Sequence, residues 1–292
     1  MKIGRKKLLA LVAVGAGLSL CVHAASAQQA TAPLTPEQIK QIVASPDRSA
    51  ADRTNDLRRK PEEMLVFIGI HPGITALDLS AAGGYTTELL ARAIGPAGIV
   101  YGQSRPRNPS QAVTPPAAPE GNSNPTVPSA AAPAAAPAGA PRPSPEALAG
   151  RDGALKSAGI KAAPITAVVL PFENPVPPEL APFDLVTLMF NYHDLGHLGV
   201  DRAAMNRAVF QALKPGGFYV IADHSGRPGT GISEAGTLHR VEEAFLRKEV
   251  EAAGFKLAAE GNFLRNPNDP RDKNTPDPPQ PKDEFVLKFV KP

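Results

Sequence analysis

Strand and helix signals alternate through most of this 292-residue chain, and that alternation predicts a doubly wound α/β fold with a mostly parallel sheet. Two further observations support it. The β-branched apolar runs are short and nearly uninterrupted, as expected of strands buried on both faces. One of them ends in an Asp followed by a small-residue turn and an amphipathic segment, the order strand, turn, helix.

Taken in order, residues 36 to 64 predict helices ahead of the first strand, with Arg48, Arg53, Arg58, Arg59 and Lys60 against Asp47, Asp52, Asp56, Glu62 and Glu63 as a mainly solvated face. Val66–Ile70 and Ile74–Leu79 are rich in branched apolar residues and read as strand. Thr86–Ile94 places Leu89, Leu90, Ala93 and Ile94 on one helical face, and Ile99–Gly102 is the second strand. A weak helix is expected near Pro145–Ala158. Strands follow at Ile165–Leu170, Phe183–Phe190 and Phe218–Ala222. Asp201 is placed to cap a helix over Arg202–Leu213 that closes at Lys214-Pro215-Gly216-Gly217. A single helix from Thr237 to Ala253 would bury Leu238, Val241, Phe245 and Leu246. Phe255–Ala259 and Glu284–Val290 are the closing strands.

The N-terminus has the form of a secretory signal peptide over residues 1–27: Lys2, Arg5, Lys6 and Lys7, then apolar Leu8 to Val22, then Ala25-Ser26-Ala27. Leu20 before Cys21 is bulky where a lipoprotein site wants a small residue; an uncleaved membrane anchor is the alternative, although the apolar run is shorter than the ~20 residues of a span. The expected product, residues 28–292, is a periplasmic or secreted protein without stable membrane association. Four of the 31 Lys and Arg lie in this segment and none of the 28 Asp and Glu, so 27 basic residues remain against 28 acidic ones. The basic balance of the whole chain therefore carries no nucleic-acid inference. Cys21, the single cysteine, leaves with the signal, which excludes a disulfide, a thiolate metal ligand and a cysteine nucleophile from the mature chain.

Residues 104–145 hold 12 Pro and 11 Ala and almost no large apolar side chains, too little to offset chain entropy. A disordered, partly polyproline-like insertion is expected there, interrupting one domain rather than separating two. The Pro-rich stretch Asn266–Asp283 reads as a lid over the site or a long exposed loop.

The segments Leu77-Asp78-Leu79-Ser80-Ala81-Ala82-Gly83-Gly84-Tyr85, Asn191-Tyr192-His193-Asp194, Leu213-Lys214-Pro215-Gly216-Gly217, Asp223-His224-Ser225 and Phe285-Val286-Leu287-Lys288-Phe289 together resemble the class I S-adenosylmethionine-dependent methyltransferases. The resemblance is closest to a group of exported bacterial proteins called predicted methyltransferases, and it runs from Pro46 to Pro292 outside the insertion. It implies a Rossmann-like seven-stranded sheet with the last strand antiparallel and S-adenosylmethionine over the first two strand ends. The cofactor positions it implies are Asp78, Ser80, Ala82, Gly83, Gly84, Tyr85 and Gln103. Ser80 and Ala82 stand where the family turn has glycines, and Gln103 stands where the family carries a ribose-binding acid. These departures predict weakened cofactor affinity or another ligand.

Asn191, His193, Asp194, Asp223 and His224 follow adjacent strands, at the sheet edge where open α/β folds bind ligands. An imidazole beside a carboxylate can take a proton from a substrate hydroxyl or amine. The same residues can equally cap loops. A metal centre would rest on His193, His197 and His224 with Asp194 or Asp223, but no spacing of known ligand geometry supports one. His71 reads as a surface turn residue, His239 as part of a solvated helix face, and Tyr85 as packed beneath the turn rather than stacked on a base. The function classes left are a methyltransferase acting on a small molecule, a fold relative binding another small ligand, and a His/Asp hydrolase or metal-dependent enzyme. The sequence does not indicate an oligomeric state.

Overall fold

A computed structural model describes Met1 and residues 32–106, 143–274 and 282–292; the expected signal peptide and nearly all of the expected insertion lie outside the described residues. Three helices lead in: α1 (Pro36–Val43), α2 (Ala50–Arg59) and α3 (Pro61–Ile68). Thr35 caps α1 in a capping box with Gln38, and Ser49 caps α2, so the first helical N–H groups are satisfied by side chains. The remaining order is β1 (Thr75–Leu79), α4 (Tyr85–Ile94), β2 (Ile99–Ser104), α5 (Ser144–Ser157), β3 (Ile165–Val169), β4 (Phe183–Met189), α6 (Tyr192–His197), α7 (Arg202–Ala212), β5 (Leu213–His224), α8 (Ala235–Leu238), α9 (Glu243–Ala252), β6 (Lys256–Gly261) and β7 (Glu284–Val290). These elements belong to one compact unit, Thr31–Pro292.

The seven strands lie in the order β3-β2-β1-β4-β5-β7-β6. The first five are parallel, and β7 runs antiparallel to both β5 and β6. Strand order reverses between β1 and β4, which opens a crevice at their carboxyl ends. Alternate residues feed two hydrophobic layers: Ala76, Leu185, Val220 and Ala222 face the layer holding α1, α3 and α4, while Leu77, Leu79, Val186, Tyr219 and Ile221 face the one holding α7 and α9. Each fully buried Leu or Ile among them stabilises the fold by about 1.5–3 kcal/mol before chain entropy is subtracted.

Four sequence expectations are corrected. Val66–Ile70 is not strand; Val66 to Ile68 form the last turn of α3. Pro61 at its first position, Glu62 and Glu63 in its first turn and the buried stripe Met64, Leu65 and Ile68 make a helix with Gly69 as its left-handed end. The helix expected from Thr237 to Ala253 is two helices, broken at His239 (φ +51), after which Val241 bridges to Ser225 beside β5. Lys214–Gly217 does not close α7 but is the first part of β5, with Gly216 at φ +78 and its N–H donating to the Lys291 carbonyl.

The fourth correction concerns the charges of residues 36–64, which are a partly buried ion-pair web and not a solvated face. Arg48 donates two hydrogen bonds to Asp56 at 2.6 and 2.8 Å, and its side chain is 1 % exposed. Asp52 receives Arg151 of α5 at 2.7 and 2.9 Å, and Arg151 also reaches Glu88 of α4 at 2.5 Å. Arg92 joins Glu88 to Asp47, and Arg58 reaches Glu284 on β7 at 2.6 Å. Removing one member of such a web strands a buried charge. The web thus fixes α2 against the helices that flank the β1 turn.

Candidate functional site

The turn after β1 has the backbone shape of a glycine-rich loop although two of its residues are not glycine. Ser80 (φ +56), Ala82 (φ +46) and Gly84 (φ +79) are all left-handed. That conformation costs a non-glycine residue roughly 1 kcal/mol or more, so surrounding contacts must hold it. The Gln103 carbonyl accepts from the Ala81 N–H at 2.8 Å, and the Ala81 carbonyl accepts from the Gly84 N–H at 2.7 Å. A Cβ at Gly84 would meet Arg151 Cδ and Leu148 Cδ2 at 2.8 Å, so this glycine serves the contact of α4 with α5. Ala82 and Gly83 are exposed, and a Cβ at Gly83 would meet nothing within 4 Å. The outer face of the turn is therefore open.

Asp78 is buried beneath this turn. It accepts from Thr87 Oγ1 at 2.6 Å and Thr187 Oγ1 at 2.8 Å, which joins the start of α4 to β4. Burial pushes its carboxyl up to about 6, against the two threonine hydrogen bonds. Gln103 is fully buried and faces inward: its Oε1 accepts from the Ser80 N–H at 3.1 Å, and its Nε2 donates to the Leu170 carbonyl at 2.6 Å. The residue expected at the ribose instead pins the turn to the end of β3. Tyr85, at the start of α4, faces the lead-in helices, with its hydroxyl donating to Asp56 at 2.6 Å and the Arg48 and Arg59 guanidiniums over its ring at 5.9 and 5.1 Å.

A chain of hydrogen bonds leads from the turn to the ends of β4 and β5. Ser80 Oγ donates to Asn191 Oδ1 at 2.5 Å, and Asn191 Nδ2 donates to Asp194 Oδ2 at 2.7 Å. Asp194 Oδ1 lies 3.2 Å from both His193 Nε2 and His239 Nδ1. On its other side His193 meets Asp223, with Nδ1 at 2.6 Å from Oδ1 and its backbone N–H donating to Oδ2 at 2.9 Å. His224 lies between Phe190 and His193, tilted to both, with ring centroids at 5.6 and 5.3 Å, and its Nδ1 is 3.0 Å from Glu284. The five residues expected here, Asn191, His193, Asp194, Asp223 and His224, do converge.

The electrostatics of this cluster differ from those of a simple base. Burial favours neutral His193, but the charge of Asp223, the ion pair with Asp194 and the hydrogen bond to Asp223 outweigh it and push the imidazole up to about 10. Without further ligands it is a cation at neutral pH and does not take a proton. Burial likewise disfavours charge on Asp194, yet His193 and then His239 hold this carboxyl below the usual range. Its side chain is 27 % exposed, against 1 % for His193 and none for Asp223, so Asp194 is the member a ligand reaches first.

Two parts of the site were missed by sequence reasoning. His239, read as solvated, is half-buried, and its ring stands edge-on to His193 at 5.5 Å. Close contact of α6 with α8 brings it there: Cβ atoms at Gly196 and Gly236 would meet Ile232 and His197 at 2.6 and 2.5 Å. Leu238 and Val241 imitate a helical stripe, so nothing in the periodicity marked the break. The second part is Arg59, whose guanidinium lies 4.8 Å from the Phe190 centroid with a buried Nε that has no hydrogen-bond partner. Burial, then the charge of Arg58, lowers it to about 10. Phe190 itself has φ +59. His197 is exposed on α6 and stays out of the cluster, and His71 is half-buried before β1, away from the strand ends that form the site. Neighbouring Arg240 is fully buried and paired with Asp269 at 2.8 Å.

No protein-family model matches the chain, and no curated protein sequence matches it. Among solved structures, a SAM-dependent methyltransferase from Aquifex aeolicus is 15 % identical and aligns over 89 % of this chain and 100 % of its own, with a TM-score of 0.50. A TehB-like SAM-dependent methyltransferase from Corynebacterium glutamicum is 15 % identical over 87 % of this chain and 93 % of its own, with a TM-score of 0.42. The fold is the Rossmann-like α/β fold of the SAM-dependent methyltransferases, with a mostly parallel sheet of seven strands.

Proposed function

We propose that this chain is an S-adenosylmethionine-dependent methyltransferase acting on a small molecule outside the cytoplasm. The observation that carries the reading is the turn itself. Ser80, Ala82 and Gly84 hold the left-handed path of a glycine loop, with an open outer face, over a buried Asp78 at the switch point of the sheet. Bound there, the cofactor would supply an electrophilic methyl sulfonium. The turn fits such a ligand by its backbone shape; the ribose is the poor fit, because Gln103 is committed to Ser80 and Leu170. Asp78 would act by holding the turn to α4 and β4 rather than by touching the ligand, since both its oxygens are engaged by threonines.

On the acceptor side, ionised Asp194 would accept a hydrogen bond from the substrate's hydroxyl or amine and orient it. Asn191 ties that carboxylate to Ser80, so the two halves of the site are mechanically linked. Export rests on the basic and apolar N-terminus and is part of the proposal.

The test is thermal unfolding of the purified protein with increasing S-adenosylmethionine and, in parallel, S-adenosylhomocysteine. A ligand at 100 times its dissociation constant adds about 2.7 kcal/mol to the native state. A saturable rise of several degrees supports the reading, and no rise at millimolar ligand in a sample that melts cooperatively sinks it. A second reading has its own observation: the inward Gln103 removes a cofactor contact, as in a fold relative that binds another small ligand. Absence of any shift with either compound, together with a shift by an unrelated nucleoside or acid, would favour it.

A further inference from the structure

We propose that His193 Nε2, Asp194 Oδ1 and His239 Nδ1 form a binding site for one divalent transition-metal ion of the zinc class. The three donor atoms lie within 4.8 Å of one another, with Asp194 Oδ1 at 3.2 Å from each nitrogen. A tetrahedral ion with bonds of about 2.0–2.1 Å needs ligand atoms roughly 3.3 Å apart, so only the two imidazoles have to close in.

The second observation is the burial of that nitrogen. His193 is 1 % exposed, and its buried Nε2 makes no hydrogen bond, only the 3.2 Å ion pair with Asp194. An ion at this point would replace the Nε2 proton, which leaves to solvent as the metal binds. The surroundings are those of a metal site. Asp223 holds the other ring nitrogen of His193 at 2.6 Å, the carboxylate–histidine–metal arrangement that fixes a ligating imidazole. Asn191 holds the second oxygen of Asp194 at 2.7 Å and leaves the first for the ion. Two imidazoles and one carboxylate match zinc, cobalt, nickel or ferrous iron rather than magnesium or calcium. Three protein ligands leave a coordination position open, as in catalytic rather than structural centres.

This inference goes beyond the methyltransferase reading and does not depend on it; with the ion bound, a substrate would meet the open coordination position in place of Asp194 Oδ1. The experiment strips the purified protein with a chelator and titrates it with Zn²⁺ by calorimetry and with Co²⁺ by visible absorption, with elemental analysis of the dialysed product. One ion per chain is expected, with the ligand-field bands of a nitrogen- and oxygen-bound Co²⁺. Asp194→Ala and His239→Asn should each weaken binding at least 100-fold, and Asn is chosen because it tolerates the left-handed backbone of His239. Asp223→Asn should weaken it by about 10–100-fold without changing the stoichiometry. His71→Ala, before β1 and away from the cluster, should leave it unchanged. Substoichiometric metal at 10 µM free Zn²⁺, or binding that survives both Asp194→Ala and His239→Asn in variants that melt cooperatively, overturns the proposal. Metal binding without a cofactor shift, or the reverse, separates the two claims.

Discussion

Replacing Gln103 by Glu exchanges one nitrogen for one oxygen at a fully buried position, and the two accounts of this residue predict opposite results. Facing inward, the new carboxylate keeps the hydrogen bond from the Ser80 N–H but turns an oxygen toward the Leu170 carbonyl, where Nε2 now donates at 2.6 Å. The Ser80 N–H is then the donor left to it, and the oxygen facing Leu170 meets another acceptor. A buried carboxyl commonly has its pKa raised by about 3 units, which at 1.4 kcal/mol per unit costs about 4 kcal/mol at pH 7. In a domain of this size that corresponds to a fall in Tm of about 8–16 °C.

The sign with pH follows from linkage. The folded-state pKa lies above the unfolded one, so the variant is close to the parent below the unfolded value and loses stability as pH rises through the folded value. In the low range the protonated acid can donate to Leu170 as the amide does. Thermal unfolding of parent and variant at pH 4.5 and pH 7.5 is the assay. A variant that melts with the parent at pH 7.5, or one depressed equally at both values, refutes the inward orientation, as would tighter binding of S-adenosylmethionine.

Three further outcomes are expected. Asp78, raised to about 6 in the fold, contributes stability that is complete below about pH 4 and lost as pH rises toward 6, a difference of about 3 kcal/mol; Asp78→Asn should flatten the stability profile in that window, and an unchanged slope would show that the carboxyl is not desolvated. Tyr219 is fully buried and its hydroxyl has no partner, so Tyr219→Phe should be neutral or stabilising by about 1 kcal/mol in denaturant unfolding; a loss of more than about 1 kcal/mol would reveal a missing hydrogen bond. Arg151→Met strands the buried Asp52 and should cost about 3 kcal/mol, much of it recovered in the double variant with Asp52→Asn. Additive losses in that cycle would mean that the pair does not couple.

The parts of this fold that the sequence revealed are those set by local pattern. Short β-branched runs located β2, β3, β4 and the centre of β5, and the run through Asp78 located β1 and the turn after it, because strand burial and turn chemistry both leave residues at fixed spacing. The strand ends carrying Asn191, His193, Asp194, Asp223 and His224 followed from the same pattern once the strands were ordered. What stayed hidden depends on partners far apart in the chain. Arg151 finds Asp52 across 99 residues and Arg58 finds Glu284 across 226, so the charges of Asp52 and Arg58 looked solvated. Gln103 was placed correctly at a strand end, but the direction of its side chain is decided by the Leu170 carbonyl 67 residues on. His239 was lost because Leu238 and Val241 keep helical spacing across a break imposed by the pairing of Val241 with Ser225.

The most direct measurement is a crystal structure of the protein grown with saturating S-adenosylhomocysteine. The account predicts density for the compound across the open face of Ser80 to Gly84, with Gln103 still bonded to Ser80 and Leu170 and the amino-acid end directed toward Asn191. An empty turn at full saturation, or the compound bound elsewhere, would contradict the claim that this site holds a methyl donor.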